Sequence, residues 1–438
     1  MQLTALVAMA WPLLGTTHLV LTVWNLRRFR GQAPQPGGGS APEPPDSAAA
    51  ASGGVERGPA LEQATAPGDP GLAPVLATGL GGQEPPRGDA PPAPQISVVI
   101  PARDEAAGIG ACIASVRAQD LPEVEVLIID DGSTDGTADA ARAAADEDPR
   151  VRVIATPEPE AGWSGQAWAC ARGYEEARGR WLVFLDADVT LAPGALQAAL
   201  AAAEDASATL VAWCPREAAG PPLQALASPL HQDLLLALAP LELLESHPDP
   251  RLAWPFAGCL LVERGSYLRA GGHAGTPAAT ATGLALTRAV KAAGGRVLLR
   301  DAGAGTVTGP LAGPPAVLEA LRRRLYPALG GSDGPCFGLL AAVAVLYVLP
   351  PLAALVGWLA GWPGLATAGL LQTLLAIAGR ALQVVQLGRA PWTAPLAPLA
   401  AGAWLGLVLM SRQAWRKGGV PWKGRACPAP VAPKAGTG

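Results

Sequence analysis

The chain has 438 residues, half of them apolar and only 16% charged, with a formal net charge of −4 at pH 7. This length exceeds what one hydrophobic core usually holds, and the apolar residues are concentrated at the two ends, which is typical of a soluble domain held by membrane segments. The weakly acidic balance lacks the basic footprint of a nucleic-acid-binding protein, so we expect no nucleic acid among the partners.

An uncharged apolar run from Leu3 to Trp24 opens the chain and is followed at once by Arg27, Arg28 and Arg30. The run is long enough to span a bilayer, and its basic flank indicates an N-terminus outside the cell. A cleaved signal peptide is the alternative, but no basic stretch precedes the run and no small-x-small cleavage site follows it. We therefore predict an N-terminal transmembrane anchor over residues 1–26.

Residues 31–95 consist almost wholly of Ala, Pro, Gly and Ser with scattered acids. Such a composition buries too little apolar surface to offset the entropy lost on ordering, so we predict a disordered linker. A flexible spacer is a simpler role for it than an interaction segment.

Short β-branched runs alternate with helical segments after the linker, which predicts an α/β domain over residues 96–330 with a doubly wound, mostly parallel sheet. The predicted strands are Ile96–Ile100, Val124–Ile129, Val151–Ile154 and Trp181–Leu185, and the predicted helices are Gly108–Ala118, Thr137–Ala145 and Gln166–Ala177.

Three further apolar runs follow the domain, at Cys336–Trp362, Leu365–Leu387 and Trp392–Met410. We predict membrane helices over residues 336–411, a basic cytoplasmic tail over residues 412–438, and a multi-pass protein of the cell membrane whose α/β domain is cytoplasmic. Three crossings would place the basic tail on the opposite side, so one run is predicted to be re-entrant or interfacial. Arg380 makes the middle run the first candidate, because a charge in hydrocarbon is costly unless it is paired.

The six cysteines show no Cys-x-x-Cys spacing, and the four histidines show no metal-ligand spacing. Neither a zinc site nor a disulfide framework is indicated, and reduced cytosolic thiols fit the pattern. The chemistry of this chain is therefore sought among its carboxylates.

The run Phe184-Leu185-Asp186-Ala187-Asp188 is an apolar strand that ends in two carboxylates separated by one residue. Alternate residues of a strand share a face, so Asp186 and Asp188 lie together at the strand's carboxyl end, where ligands bind in open α/β sheets. Carboxylate oxygens suit Mg²⁺ or Mn²⁺, and a cation held there can grip a diphosphate. By itself Asp-x-Asp is more often a solvated turn, so the interpretation depends on its neighbours.

Three other segments are placed at the carboxyl ends of neighbouring strands. They are Pro101-Ala102-Arg103-Asp104-Glu105, the acidic turn Asp130 to Thr137, and the loop Gly162 to Ala169. The acids of the second segment can accept hydrogen bonds from a base and a ribose, and Thr134 or Asp135 can cap the next helix. The glycines of the third segment, Gly165 among them, let backbone N–H groups approach a phosphate at a helix N-terminus.

With these motifs, the segment from Ile96 to about Ala202 resembles a family-2 glycosyltransferase domain of the GT-A type, a Rossmann-like fold. The loop Gly162 to Ala169 and the run Phe184 to Asp188 resemble those of bacterial membrane enzymes that glycosylate carotenoid- or hopanoid-type lipids. The likeness resumes at three later stretches, namely Gly271-Gly272-His273, Ala289 to Gly294 and Trp422-Lys423-Gly424-Arg425. The resemblance implies a nucleotide-sugar donor such as a UDP-sugar, a lipid acceptor of isoprenoid type, and Mg²⁺ or Mn²⁺ as cofactor.

The resemblance also implies roles for individual residues of the donor site. Asp131 is expected to contact the base or ribose. Pro101, Arg103 and Glu105 would line that pocket. Asp186 would lie beside the ribose and diphosphate, and Asp188 with Asp186 would ligate the metal ion.

An inverting displacement needs a general base to take the proton of an acceptor hydroxyl. In the family this carboxylate comes from an acidic pair just ahead of the helix that here begins near Leu284, where this chain has Thr282-Gly283. Two explanations stay open. A nearby group can substitute, with Asp301, Glu263 and His273 as candidates. Alternatively the protein binds the donor as a catalytically impaired pseudoenzyme or scaffold; a working, metal-assisted lipid glycosyltransferase is the favoured interpretation.

Overall fold

The structure is a computed structural model that describes residues 2–30, 94–121, 123–218, 220–253, 258–311, 313–419 and 423–425, with side chains of the first helix described from residue 10 onward. The predicted linker, apart from its last two residues, lies outside this described part, as does most of the predicted tail.

The described residues form ten strands and fifteen α-helices. The strands are β1 (Ile96–Ala102), β2 (Val124–Asp130), β3 (Val151–Ala155), β4 (Trp181–Leu185), β5 (Val189–Thr190), β6 (Leu210–Cys214), β7 (Arg216–Glu217), β8 (Cys259–Glu263), β9 (Val297–Asp301) and β10 (Val307–Thr308). The helices are α1 (Gln2–Arg30), α2 (Ile109–Arg117), α3 (Thr137–Ala145), α4 (Gly165–Glu176), α5 (Ala195–Asp205), α6 (Pro222–Ala227), α7 (Leu230–Leu238), α8 (Leu241–Ser246), α9 (Arg264–Arg269), α10 (Thr282–Ala292), α11 (Pro314–Ala328), α12 (Asp333–Val343), α13 (Leu349–Leu359), α14 (Pro363–Gln386) and α15 (Ala397–Arg416).

A seven-stranded sheet in the order β3-β2-β1-β4-β8-β6-β9 forms the centre of the α/β domain. Its first four strands are mutually parallel, and only β8 runs against its neighbours β4 and β6. Alternate residues of β1 enter different apolar cores, because Val98 and Ile100 pack on one face of the sheet while Val99 packs on the other. The predicted α/β class with a mostly parallel sheet is confirmed.

The register of the sheet brings the chemistry-bearing segments to one edge. Ala102 at the end of β1 lies opposite Asp130 at the end of β2, and Val99 lies opposite Phe184 in β4. A second, three-stranded sheet in the order β5-β10-β7 continues beyond β4. In it, β10 pairs with β5 and the backbone N–H of Gly309 donates to Asp188 O at 2.8 Å, which fixes the backbone that follows Asp186.

Helix α1 is docked onto the α/β domain through a buried asparagine. The Asn25 side-chain amide donates to Leu236 O at 2.9 Å and to Ala239 O at 2.7 Å, and its carbonyl oxygen accepts from Leu241 N at 3.0 Å. These bonds satisfy backbone groups at the junction of α7 and α8, where no helix supplies partners. The contact therefore joins α1 to the domain by groups that would otherwise be buried and unpaired.

Two helical stretches are long and apolar enough to cross a membrane, judged by length and composition alone. They are Asp333–Leu359, which comprises α12, a π-helical turn and α13, and Pro363–Gln386, which is α14. Helix α15 extends to Arg416, beyond the predicted boundary at residue 411. Near its end, Arg412 and Arg416 both pair with Asp333 at the start of α12.

Arg380 does not interrupt the middle apolar run, which forms the continuous helix α14. The charge of Arg380 was the reason for expecting that run to be re-entrant. The residue lies inside α14, is buried, and forms an ion pair with Asp233 of α7, which also pairs with Arg389. A buried charge is tolerable when a counter-ion is fixed beside it, and here the counter-ion comes from a helix remote in sequence.

We expect Asn25→Ala to lower the stability of the protein by about 2–3 kcal/mol, because the substitution leaves buried carbonyl and N–H groups without partners. Thermal unfolding of the full chain in detergent measures the effect. Thr17→Ala, an exposed polar-to-alanine change on the same helix, serves as the control. Equal unfolding midpoints for the two variants would show that the docking contact is not stabilising.

Candidate active site

Asp186 and Asp188 follow the carboxyl end of β4 and are partly buried. The Asp186 backbone N–H donates to Gly258 O at 3.0 Å, and Gln166 Nε2 donates to Asp186 Oδ1 at 3.1 Å. Burial, together with the negative charge of Asp188, raises the pKa of Asp186 to about 7, although Arg324 and Arg323 of α11 act in the opposite direction. A cation bound beside Asp186 and Asp188 would stabilise the ionised form of Asp186.

The donor set at this edge fits a hard divalent cation only in part. Asp186 and Asp188 supply oxygen ligands, yet in the described part of the chain no cluster of three or more His, Cys, Asp and Glu side chains could hold a metal ion. Mg²⁺ and Mn²⁺ commonly take one or two protein carboxylates and complete their shells with phosphate oxygens and water. The pair therefore fits a cation that arrives with a phosphorylated ligand rather than one held by the protein alone.

Asp131 is almost fully buried at the end of β2. Its Oδ2 accepts from Arg425 Nη1 at 2.5 Å, whereas its Oδ1 is buried without a hydrogen-bond partner in the protein. Burial raises the pKa of Asp131, and the hydrogen bond and charge of Arg425 act against that rise. A buried acceptor that the protein leaves unpaired is costly, so this oxygen fits an N–H or O–H group of a ligand.

Helix α4 begins beside Asp131 because residue 165 is glycine. The N-cap residue Ser164 accepts a hydrogen bond from Ala167 N at 3.2 Å and donates to Ala279 O at 2.7 Å. A Cβ atom on Gly165 would lie 2.4 Å from Asp131 Oδ2, a distance that no side chain tolerates. Glycine thus lets the positive end of the helix reach the carboxylate and the space in front of it.

The loop after β1 brings the remaining predicted donor-site residues to the same place. Pro101 is half-buried within β1, and Arg103 Nη1 donates to Asp131 O at 2.5 Å. Glu105 pairs with Lys423; burial raises the pKa of Glu105, and Lys423 lowers it. The side chains predicted to bind the donor therefore meet at one edge of the sheet. The N-cap residue of α3 is Gly136 rather than the predicted Thr134 or Asp135, although the Asp135 carboxylate accepts from Thr137 N at 3.0 Å.

Lys423 and Arg425 are site residues to which sequence reasoning gave no role. The stretch Trp422 to Arg425 was noticed only for its resemblance to relatives, far along the chain from the other motifs. The sequence signal that could have indicated their role is a pair of cations on either side of Gly424, placed after the last apolar helix of a chain whose motifs are rich in acids. Nothing in local sequence indicates which carboxylates they meet.

The structure does not bring Asp301 or Glu263 to the carboxylate pair. Asp301 is buried at the end of β9, three strands from β4, and its two oxygens accept from Arg216 at 3.2 and 2.6 Å. Glu263 lies opposite Trp181, at the amino end of β4, whereas Asp186 follows the carboxyl end. One carboxylate is held by a guanidinium and the other is at the wrong edge, so neither is placed to act as a base at this site.

His273 lies beneath the site rather than in it. Its ring is buried edge-on against Phe184 at a centroid distance of 4.6 Å, and its Nδ1 is 3.0 Å from the Tyr267 hydroxyl. Burial lowers the pKa of His273 to about 3. The ring is therefore neutral at physiological pH and packs in the core, which favours a structural role over that of a base.

Residues 97–229 match the sequence model of the family described as Glycosyl transferase family 2. The succinoglycan biosynthesis protein ExoO of Rhizobium meliloti is 38% identical over 117 residues, which are 27% of this chain and 32% of that protein. The 4,4'-diaponeurosporenoate glycosyltransferase of Staphylococcus aureus is 36% identical over 95 residues, 22% of this chain and 24% of the enzyme. The chain thus spans about a third or less of the length of these relatives. The predicted resemblance to family-2 glycosyltransferases is confirmed for this part of the chain.

Among solved structures, a mannosyltransferase from Pyrobaculum calidifontis in complex with GDP-Man and Mn²⁺ is 22% identical, with a TM-score of 0.44 over 74% of this chain and 87% of that one. Glucosyl-3-phosphoglycerate synthase from Mycobacterium tuberculosis is 23% identical, with a TM-score of 0.36 over 55% of this chain and 80% of that one.

We expect Gly165→Ala to destabilise the protein by about 1–3 kcal/mol, because the added methyl group must displace the Asp131 carboxylate and its ion pair with Arg425. Gly338→Ala in α12 is the matched control, since a Cβ atom there meets nothing within 4 Å. Thermal unfolding compares the two. The close approach has no energetic role if both variants unfold at the temperature of the parent protein.

Proposed function

We propose that this chain, whose residues 97–229 are a family-2 glycosyltransferase domain, transfers a sugar from a nucleotide-sugar to a lipid acceptor with inversion and with help from a divalent cation. One observation carries the proposal: a buried, unpaired acceptor atom on Asp131 and the carboxylate pair Asp186 and Asp188 lie at the same edge of the sheet. That edge is where open α/β sheets bind their ligands.

The unpaired Oδ1 of Asp131 is the proposed partner of an N–H group of the nucleobase, as in a uracil ring. Pro101, Arg103 and Glu105 form the surrounding wall. The amino end of α4 at Gly165 points its positive dipole at the phosphates. In this arrangement the nucleobase lies at Asp131 and the sugar lies at Asp188, at opposite ends of one extended nucleotide-sugar.

Asp188 and Asp186 are the residues that would hold Mg²⁺ or Mn²⁺. When bound, such a cation neutralises the charge that develops on a leaving diphosphate. Gln166 keeps one oxygen of Asp186 occupied, so the other is left for the metal. Arg323 and Arg324 add positive potential from α11. Together these groups place positive charge where the leaving group becomes most negative.

The acceptor is proposed to be a lipid carboxyl rather than a lipid hydroxyl. Asp301, Glu263 and His273 are not placed to remove a proton, and Thr282 at the start of α10 is neither charged nor basic near neutral pH. A carboxylic acid is already ionised at that pH, so its oxygen can attack the sugar carbon without a base. The C–O bond to the phosphate breaks as the new ester bond forms, and no proton is released. The relative named for diaponeurosporenoate, a carboxylate, supports this choice.

We further propose that the domain faces the cytoplasm from a multi-pass membrane anchor. Asp333–Leu359 and Pro363–Gln386 are the crossing helices, and α1 packs against α14. Lys423 and Arg425 contact the α/β domain, so the chain after α15 lies on the same side as that domain. Two crossings with α15 at the membrane surface satisfy this condition, whereas a third crossing does not.

Asp188→Ala is expected to lower sugar transfer by roughly 100-fold or more, because the charge on the leaving diphosphate loses its metal bridge. The assay uses the full chain in lipid vesicles with UDP- and GDP-sugars and Mn²⁺, and detects glycolipid by mass spectrometry. Asp120→Ala, a change at an exposed acid, is the control. Donor binding without any glycolipid product in the parent protein would count against a transferase.

We expect hexadecanoic acid to be glycosylated roughly 100-fold faster than hexadecanol at pH 7, because only the alcohol needs a general base. The rate with the acid should also be flat between pH 8 and 9, above the pKa of about 7 of the proposed metal ligand Asp186. Glu217→Gln tests for an unrecognised general base. Glu217 is an exposed carboxylate on β7, and the three-stranded sheet joins β7 through β10 to β5, which follows Asp188. Faster reaction with the alcohol, abolished by Glu217→Gln, would overturn the choice of acceptor.

A further inference from the structure

A short C-terminal segment, Lys423–Arg425, closes over the donor site, and we refer to it as the strap. Lys423 Nζ donates to Arg103 O at 2.5 Å and to Asp104 O at 3.1 Å, and it pairs with Glu105. In return, Arg103 Nε donates to Lys423 O at 3.2 Å. Side chain and backbone of the strap are thus both engaged with the loop after β1.

The backbone of the strap is held in an uncommon conformation. Lys423 has φ of 45° and Gly424 has φ of 78°, so two successive residues lie in the left-handed region. A side chain is seldom found there, and such a conformation persists only where surrounding contacts impose it. The turn presents the side chains of Lys423 and Arg425 to the same site.

Arg425 reaches the buried carboxylate of Asp131 between two glycines. Its guanidinium donates to Asp131 Oδ2, and Cβ atoms built on Gly132 and Gly165 would lie 3.5 and 3.3 Å from its nitrogens. A Cβ atom at position 165 would crowd the guanidinium, whereas one at position 132 would be in ordinary van der Waals contact with it. With Oδ2 engaged in this way, Asp131 has one acceptor atom left for a ligand, and that atom is the buried Oδ1.

We infer that Arg425 and Lys423 are positioning residues of the donor site: Arg425 orients Asp131 so that its remaining oxygen receives the nucleobase, and Lys423 neutralises Glu105 beside the diphosphate. The inference rests on the proposed function, because it names the partner of Asp131 as a nucleoside diphosphate.

The strap compensates negative charge at the site. Glu105, Asp131, Asp186 and Asp188 surround the space that a diphosphate, itself an anion, is proposed to enter. A divalent cation compensates Asp186 and Asp188. The strap supplies the matching compensation for the other two carboxylates, through a guanidinium and an ammonium group.

The charged groups that act on Asp131 are Arg425 on the strap, Arg103 on the loop after β1 and Glu158 on the loop after β3, while α4 contributes the uncharged Gly165. Burial raises the pKa of Asp131, and Arg425 holds it down. Removing Arg425 raises the pKa further, so more Asp131 is protonated as the pH falls. Without Arg425, the nucleotide therefore binds more weakly at low pH than at high pH, because less of Asp131 is ionised to accept its hydrogen bond.

The experiment measures UDP binding in the presence of Mn²⁺ by calorimetry on the full chain in detergent, at pH 8 and at pH 6. We expect Arg425→Gln to raise Kd roughly 10-fold at pH 8 and by more at pH 6, because a charge-assisted hydrogen bond becomes a neutral one. Arg425→Lys, which keeps the charge, should show the smaller pH dependence of the parent. Lys417→Ala, an exposed cation at the end of α15, should bind as the parent does.

Two results would overturn the inference while leaving the proposed function intact. If Arg425→Gln binds UDP as tightly as the parent at both pH values, the strap does not position Asp131. If it binds UDP more tightly, the strap competes with the nucleotide for the slot between the glycines. Should the parent bind neither UDP nor GDP with Mn²⁺, the proposed function itself fails, and the inference fails with it. Unfolding midpoints of all variants confirm that each one is folded.

Discussion

Crowded carboxylates at the carboxyl edge of the sheet impose the constraint on which this structure depends. Burial raises the pKa of Asp131, Asp186 and Glu105, which disfavours their ionised forms, and a nearby positive charge acts against this effect. The protein answers with cations from distant parts of the chain, namely Arg103, the strap and the arginines of α11. Under the proposed function, a divalent ion that arrives with a diphosphate supplies the remaining positive charge.

Acids are also paired with cations from distant parts of the chain among the helices. Asp233 of α7 binds Arg380 and Arg389, and Asp333 at the start of α12 binds Arg412 and Arg416. Each acid thereby ties an apolar helix to the α/β domain or to a neighbouring helix. Asn25 does so with neutral groups. The buried contacts of Asp233 and Asn25 specify one arrangement of helices that apolar packing alone would leave open.

Local pattern was sufficient for the first half of the domain. The strands β1 to β4 and the intervening helices lie where alternation of β-branched and helical segments predicted them, and parallel pairing then placed Asp131 at the same edge of the sheet as the run ending in Asp188. Long-range pairing was beyond such reasoning. The sequence around Asp301 does not indicate that Arg216 pairs with it, and the sequence around Arg380 does not indicate that its partner is Asp233. Glu263 lies at the edge opposite to Asp186 because β8 runs antiparallel to β4, a direction that the local sequence of a buried strand does not encode.

The strap follows α15 in the chain, and α15 is itself fastened to α11 and α12 through Ser411 and the arginines near its end. The groups that contact Asp131 and Glu105 are consequently close in sequence to the helical bundle. Under the proposed function, a detergent that loosened the bundle would disturb these contacts as well, and the purified protein would lose nucleotide affinity although every side chain of the site remained intact.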